Sequence, residues 1–385
     1  MTRPKVLAYY FPNYHVDPRN ESWFGPEWTE WDLVRNAKPR FPGHQQPRVP
    51  QLGYQDESDP DVAASQIALA AAHGIDGFIF DYYWYEDGPF LDGALDSGFL
   101  SAENNQLLEF SLMWANHDYV DLFPSKAPDQ KNRLLQDGRV SREGFASLTS
   151  HVIEKYFSRP NYSTINGRPR FSIYEFTQFI QGIGGEEQAR EALAEFDEQV
   201  RAAGFPGVHI DAVVWGAPIL PSEQTLVDPS AMLERFNVAS LSSYVWIHHT
   251  DASSERFPQT SGWEHARRSA FEAYHDYART IRVPFHPNVT TGWDSSPRCD
   301  EGHEFERGEY PWFPVWARDL EQFRAGLIDA RDFCEEYPLD YREVTINAWN
   351  EWTEGSYLLP DTVDGMSFLE AVREVFGPQL STHSA

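Results

Sequence analysis

Val344-Thr345-Ile346-Asn347-Ala348-Trp349-Asn350-Glu351-Trp352-Thr353-Glu354-Gly355-Ser356-Tyr357 is the stretch on which the fold turns. Its β-branched start reads as a buried strand. It then becomes abruptly polar and aromatic, with two carboxylates, Glu351 and Glu354, three residues apart beside Trp349 and Trp352. On an extended strand such a pair lies too far apart and on opposite faces. The two acids converge only if the strand ends and turns at Trp352 or Thr353, a turn that Gly355 suits. Taken alone, the pair reads more readily as two solvated loop acids with tryptophans used as core filler. The rest of the chain decides between these.

Upstream, the same kind of strand recurs. Val6 to Phe11, Ile75 to Trp84, Leu108 to Asn116, Arg170 to Glu175, Val208 to Gly216, Ala239 to Trp246 and Phe285 to Asp294 are apolar runs that end in polar or aromatic residues. Helical patterns separate them: Val62 to His73, Gly93 to Gln106, Arg142 to Phe157, Glu186 to Ala203, Trp263 to Ile281 and Ala317 to Cys334, with Ser367 to Phe376 closing the chain. Eight strands alternating with helices predict an α/β fold with a parallel sheet, closed as a (β/α)₈ TIM barrel. No Gly-x-Gly-x-x-Gly follows the first strand, which disfavours an open dinucleotide-binding sheet. With no linker, repeat or low-complexity stretch, residues 1–385 read as a single catalytic domain. Its βα loops are long and aromatic, above all the one from Asn13 to about Asp59.

The composition narrows the partners. Hydrophobic residues at 41% supply a core, and 13 Trp with 15% aromatics exceed what packing asks for, which suggests flat stacking surfaces. A net charge of −28 argues against nucleic acid and anionic membranes as partners. Almost all the positive charge is arginine, a matter of solubility rather than mechanism. Cys299 and Cys334 read as two free thiols or a single bridge. The N-terminus lacks the pattern of a signal peptide and no stretch of 18 apolar residues occurs, so the expectation is a cytoplasmic protein without membrane insertion.

No metal or cofactor is expected. Asp59-Pro60-Asp61 has the D-x-D form of a metal-bound transferase motif, but an N-cap followed by proline explains it fully. His248-His249 and Cys299-Asp300 with His303 match no zinc spacing and read as surface loop residues. There is no Gly-x-Ser-x-Gly elbow.

A rim of acids and indoles suits chemistry on a glycosidic bond: one carboxyl protonates the leaving oxygen, another acts as base or nucleophile, and indoles pack on sugar faces. The motif Asn350-Glu351-Trp352-Thr353-Glu354-Gly355 resembles the Glu-Trp-His-Glu-Gly of glycoside hydrolase family 99, the retaining endo-α-1,2-mannosidases and mannanases. A larger share of the chain is similar to the related WbsX-type domain, often labelled a glycosyltransferase of polysaccharide assembly. The matching pieces are Tyr10-Phe11-Pro12-Asn13-Tyr14-His15, Glu27-Trp28-Thr29-Glu30-Trp31, Phe41-Pro42-Gly43-His44 with Gln46-Pro47, Gly74-Ile75-Asp76-Gly77-Phe78, Trp114-Ala115-Asn116 and the stretch from Asn347 to Gly355.

The resemblance implies retaining hydrolysis of an α-linked oligo- or polysaccharide. It makes Glu351 the base, acting through the sugar's own 2-hydroxyl, and Glu354 the general acid/base. Thr353 stands where family 99 has His, which leaves α-mannoside specificity open. For the chemistry to run near neutral pH, Glu351 must stay ionised and Glu354 protonated. Substrate contacts are expected from Tyr10, His15, Asp81, Trp84, Trp114, Asn116, His117, Trp293, Asn347 and Trp352. Trp215 and Trp246 are further stacking candidates, and Glu175 is a weaker alternative acid. The competing functions are a transferase using an activated donor and a non-catalytic carbohydrate-binding barrel.

Overall fold

The computed structural model describes residues 3–121, 123, 133–220, 222–225, 229–250, 262–300, 310–311 and 315–377. Eight parallel strands run β1 (Lys5–Tyr10), β2 (Gly77–Tyr85), β3 (Glu109–Trp114), β4 (Arg168–Ile173), β5 (His209–Val213), β6 (Ser240–Ser242), β7 (Phe285–His286 with Asn288–Thr290) and β8 (Glu343–Asn347). Each pairs with its neighbour in chain order, and β8 pairs with β1. The first half of β7 pairs with β6 and the second half with β8. Between the halves stands Pro287, which has no N–H to give a ladder, and its carbonyl accepts from Thr345 at 3.0 Å. The barrel therefore closes through one interrupted strand.

Alternation along the strands divides the residues in two. Phe78, Phe80, Phe110, Leu112, Trp114, Phe171 and Ile173 point outward and are buried under the helices. The inward positions of the lower barrel are unusually polar. Arg170, fully buried, donates to Glu343 and, at 3.3 Å, to Asp211. Asp211 also accepts from Ser172 at 3.0 Å, Ser240 at 2.7 Å and Ser242 at 2.7 Å. This floor links β4, β5, β6 and β8 by hydrogen bonds instead of apolar layers.

Helices Pro60–Ala72, Arg142–Val152, Glu186–Ala202, Trp263–Thr280, Leu320–Glu336 and Ser367–Phe376 lie close to where the sequence puts them. Asp59 does cap its helix, accepting from Asp61 N at 2.8 Å. The departures are local. The expected helix from Gly93 to Gln106 is three short turns, at Ala94–Gly98, Phe99–Ser101 and Asn105–Leu107. The long loop after β1 contains helices Pro18–Phe24 and Trp31–Asn36, and two more, Phe176–Ile183 and Pro229–Phe236, were not expected. Each is under nine residues, too short to show a period above background. The eighth strand ends at Asn347, not Glu351. Both cysteines are free and buried.

Candidate active site

Beyond β8 the chain makes a small hairpin, Asn350–Glu351 against Ser356–Tyr357, closed by a tight turn over Trp352–Glu354. Asn350 anchors it to the end of β1 in both directions. Its Oδ1 accepts from Phe11 N at 2.8 Å and its Nδ2 donates to Phe11 O at 2.7 Å. Tyr14 Oη accepts from Trp352 N at 3.0 Å. Gly355 ends the turn at φ +68°, and a Cβ there would lie 2.9 Å from the backbone of Asp294. Only glycine meets both demands. The turn folds Glu354 back beside Glu351, and both open into one pocket.

What joins the two acids is Arg298, on a short turn, Ser296–Arg298, in the loop after β7. Its Nη2 donates to Glu351 at 2.8 Å and to Glu30 at 3.1 Å, and its Nη1 donates to Glu354 at 2.5 Å. Tyr310 Oη donates to Glu354 at 2.8 Å, and the Thr353 hydroxyl donates to Glu30. The guanidinium is buried and flanked by the rings of Phe11 and Phe123. Asp294 sets the turn: one oxygen accepts from Ser296 N at 3.0 Å, and the other takes Gln46 at 2.7 Å and faces His44 Nε2 at 2.8 Å. His44 and Gln46 thereby tie the loop after β1 to the loop that carries Arg298.

Burial dominates the electrostatics. It pushes the Glu351 carboxyl well above the usual range, and the neighbouring charge of Glu354 adds to this, with Arg298 opposing. Glu354 is also raised by burial, against the pull of Arg298 and the hydrogen bond from Tyr310. Glu354 has two strong donors and Glu351 has one. Among the described residues, therefore, the upward push of burial is opposed more strongly at Glu354 than at Glu351.

The pocket has an empty volume of about 770 Å³ out to its mouth. Its wall is built from inward positions of the strand ends: Asp81, Tyr83, Met113, Ala115, His117, Tyr174 and Tyr244. Tyr244 Oη donates to Asp81 Oδ2 at 2.9 Å, while Asp81 Oδ1 has no partner among the described residues. Burial pushes Asp81 well up. On the far wall Glu223 faces His248 at 3.4 Å and accepts from Tyr174 at 2.5 Å. Burial would raise Glu223, but His248, Tyr174 and Ile219 N outweigh it and hold the carboxyl below the usual range.

Of the residues expected to meet substrate, Asp81, His117, Trp293, Glu351 and Glu354 line this pocket. The others lie outside it. Tyr10, Trp84 and Trp114 occupy outward positions of their strands: Tyr10 stacks on Phe80, Trp84 packs on His151, and Trp114 packs against Phe145 and Phe179. His15 is buried against Gly93. Asn116 bridges β3 to the next loop, donating to Glu175 O at 2.7 Å and accepting from Glu175 N at 2.8 Å. Asn347 is an inward, fully buried residue of β8 whose side-chain atoms have no partner among the described residues. Trp352 stacks on Tyr357, centroids 3.8 Å apart, and is core.

Trp246 is fully buried too, bonding Asn288 O at 2.9 Å, and Trp215 packs behind His248. Glu175 caps the helix Phe176–Ile183 through Thr177 N at 2.9 Å. His248 and Cys299 are buried, not surface loop residues, and His303 lies outside the described residues. Arg298, Tyr310, Tyr83, Tyr174, Glu223 and Tyr244 are missing from the expectation. The period-2 parity of β2 and β4 was the available signal for Tyr83 and Tyr174; nothing local marks Arg298.

Solved structures share this architecture. A glycoside hydrolase-like protein superposes with a TM-score of 0.62 at 12% identity, covering 98% of this chain and 95% of that one. The GH99 endo-alpha-mannosidase of Bacteroides thetaiotaomicron gives 0.55 at 13% identity, covering 97% of each chain. At such identity the likeness is one of fold. Two curated relatives, both the uncharacterized protein WxcX of Xanthomonas campestris pv. campestris, from strains B100 and ATCC 33913, are 28% identical over 385 residues and 98% of this chain. The chain spans about half the length of these relatives. The family model described as Glycosyltransferase WbsX matches residues 6–372, and the chain belongs to that family.

Proposed function

We propose that this barrel hydrolyses an α-linked oligo- or polysaccharide with retention, using Glu351 and Glu354 as its acid/base pair. The observation that carries this is the single guanidinium of Arg298 holding both carboxylates at one pocket. Two groups that share charge so closely titrate as a unit and hold one proton between them near neutral pH. Before substrate binds, that proton favours Glu351. A sugar hydroxyl donating to Glu351 stabilises its anion and moves the proton to Glu354.

With the proton there, the pair is in the state that the motif resemblance requires. Glu351 takes the proton of the 2-hydroxyl as that oxygen attacks the anomeric carbon. Glu354 gives its proton to the departing oxygen, leaving a 1,2-anhydro sugar. Water then opens the anhydro ring, giving its proton to Glu354, while Glu351 returns its own to the 2-oxygen. Two inversions at the anomeric carbon amount to retention.

The family's description favours a second function, transfer from an activated donor. Six carboxylates, Glu30, Asp81, Asp118, Glu223, Glu351 and Glu354, and one guanidinium stand among the described lining residues. That guanidinium is already committed to three of the acids, a poor setting for a pyrophosphate.

The test is release of reducing ends from an α-glycan panel with no donor added, followed by glycosyl fluorides of the sugar identified. Fluoride leaves without protonation. Glu354→Gln is expected to lose turnover on the glycan by at least 100-fold but to release the first equivalent of fluoride at close to the wild-type rate, while Glu351→Gln loses both. Rescue of Glu351→Gln instead would reverse the roles. A wild type that releases sugar only with a nucleotide- or lipid-linked donor would establish the transferase. Binding without turnover in either assay would leave a carbohydrate-binding barrel.

A further inference from the structure

A third carboxylate belongs to the acid pair. Glu30 begins the helix Trp31–Asn36 in the loop after β1, more than 300 residues before the eighth-strand hairpin, yet it is fully buried against the same guanidinium. The partners of its carboxyl group among the described residues all donate to it: Asn13 Nδ2 at 3.0 Å, Arg298 Nη2 at 3.1 Å and the Thr353 hydroxyl. Thr353 is the residue between the two acids, so the turn that carries Glu351 and Glu354 is also bonded to Glu30. One guanidinium thus serves three carboxyl groups. Nη2 divides itself between Glu30 and Glu351, and what Glu30 takes, Glu351 does not receive.

We propose that Glu30 is a positioning residue that keeps a proton on the Glu351–Glu354 pair by drawing off part of Arg298. It acts through Arg298 and Thr353, and it rests on the acid/base role given above to that pair. The charged and titratable groups facing the pair come from every side: Arg298 and Tyr310 from the loop after β7, Asp81 and Tyr83 from β2, Tyr174 from the β4 end, Tyr244 and His248 from the β6 end, Tyr14 and Glu30 from the loop after β1. Of these, Glu30 is the anion bonded to the same guanidinium as both acids. Its removal acts in one direction on two counts. A negative neighbour disappears, and Nη2 is freed to serve Glu351. Both effects favour the ionised pair.

The experiment is a carboxyl titration, read as the infrared difference between each protein and its Glu351→Gln counterpart, run without substrate. It is paired with the pH dependence of kcat/KM on the glycan found active. Glu30→Gln is expected to lower the apparent midpoint of the pair by about one pH unit or more, and to move the alkaline limb of the rate profile down by the same amount. Glu30→Asp keeps the charge and is expected to stay within about 0.3 unit of wild type. Thermal unfolding of both variants identifies any general loss of structure. A folded Glu30→Gln with an unmoved midpoint overturns the proposal, as does Glu30→Asp shifting as far as Glu30→Gln. If wild type hydrolyses no glycan, the hydrolase reading fails, while the infrared titration still decides the role of Glu30.

Discussion

Replacing Arg298 by Met tests the charge balance of the pocket without emptying the space between Phe11 and Phe123. The substitution leaves Glu30, Glu351 and Glu354 buried without the guanidinium that all three share. Breaking a buried pair from one side costs about 3–5 kcal/mol. Carboxyl groups limit that cost by taking protons, so the loss depends on pH. Both Glu351 and Glu354 already have folded values raised above the unfolded one, mainly by burial. The folded state therefore binds more protons, and stability falls as pH rises from the unfolded value through the folded ones. Without Arg298, which holds both values down, the folded values climb further. A rise of about one unit on each of two groups costs about 3 kcal/mol above those values and nothing below the unfolded value. Urea unfolding of wild type and Arg298→Met at pH 5 and pH 8 is the assay. The deficit of the variant is expected to be larger at pH 8 than at pH 5, by up to about 3 kcal/mol. An equal deficit at both pH values, or one below about 1 kcal/mol at pH 8, would refute the charge balance.

Two further substitutions test geometry. Gly355→Ala forces a side chain into the left-handed region and against the Asp294 backbone, for about 1–3 kcal/mol of stability. Because the same turn aims Glu354, kcat is expected to fall by more than 10-fold under conditions where circular dichroism still shows a folded barrel; a variant with wild-type kcat would count against the turn. Tyr83→Phe and Trp84→Phe alter neighbours of opposite parity on β2. Loss of one sugar hydrogen bond by the first is expected to raise KM about fivefold, while the second lowers Tm and leaves KM alone; the reverse pattern would mean that the pocket wall is assigned to the wrong face.

Much of the fold was legible because it repeats. Eight apolar runs with polar ends, spaced by helical patterns, leave few arrangements besides a closed parallel barrel. The misses are the short pieces. Phe176–Ile183 has no length over which a period could emerge, and its cap, Glu175, was weighed as an acid because a carboxylate at a strand end looks alike in both roles. The polar barrel floor could not be anticipated either. Arg170, Asp211 and Glu343 sit on three strands up to 173 residues apart, and only closure of the sheet brings them into contact.

The candidate site divides along a similar line. Strand-end residues were gathered as if each end pointed inward whole, whereas a strand delivers only every second residue to the interior. Asp81 and Tyr83 share a parity on β2, and Trp84 has the other; Ala115 faces the pocket and Trp114 the helices. Tryptophan count gave no protection against this, because an indole under a helix and an indole under a sugar are the same letter. Parity was readable in the sequence, and applying it excludes Tyr10, Trp84 and Trp114 at once. Arg298 is different in kind. It lies in an irregular loop 53 residues before Glu351, in a chain where most cations are surface arginines. Yet two buried acids closing on one pocket require a nearby cation or a shared proton. The pair in the hairpin thus implies its partner's chemistry before the partner can be located, and Glu30, counted at first only as part of a motif, makes the shared proton necessary as well.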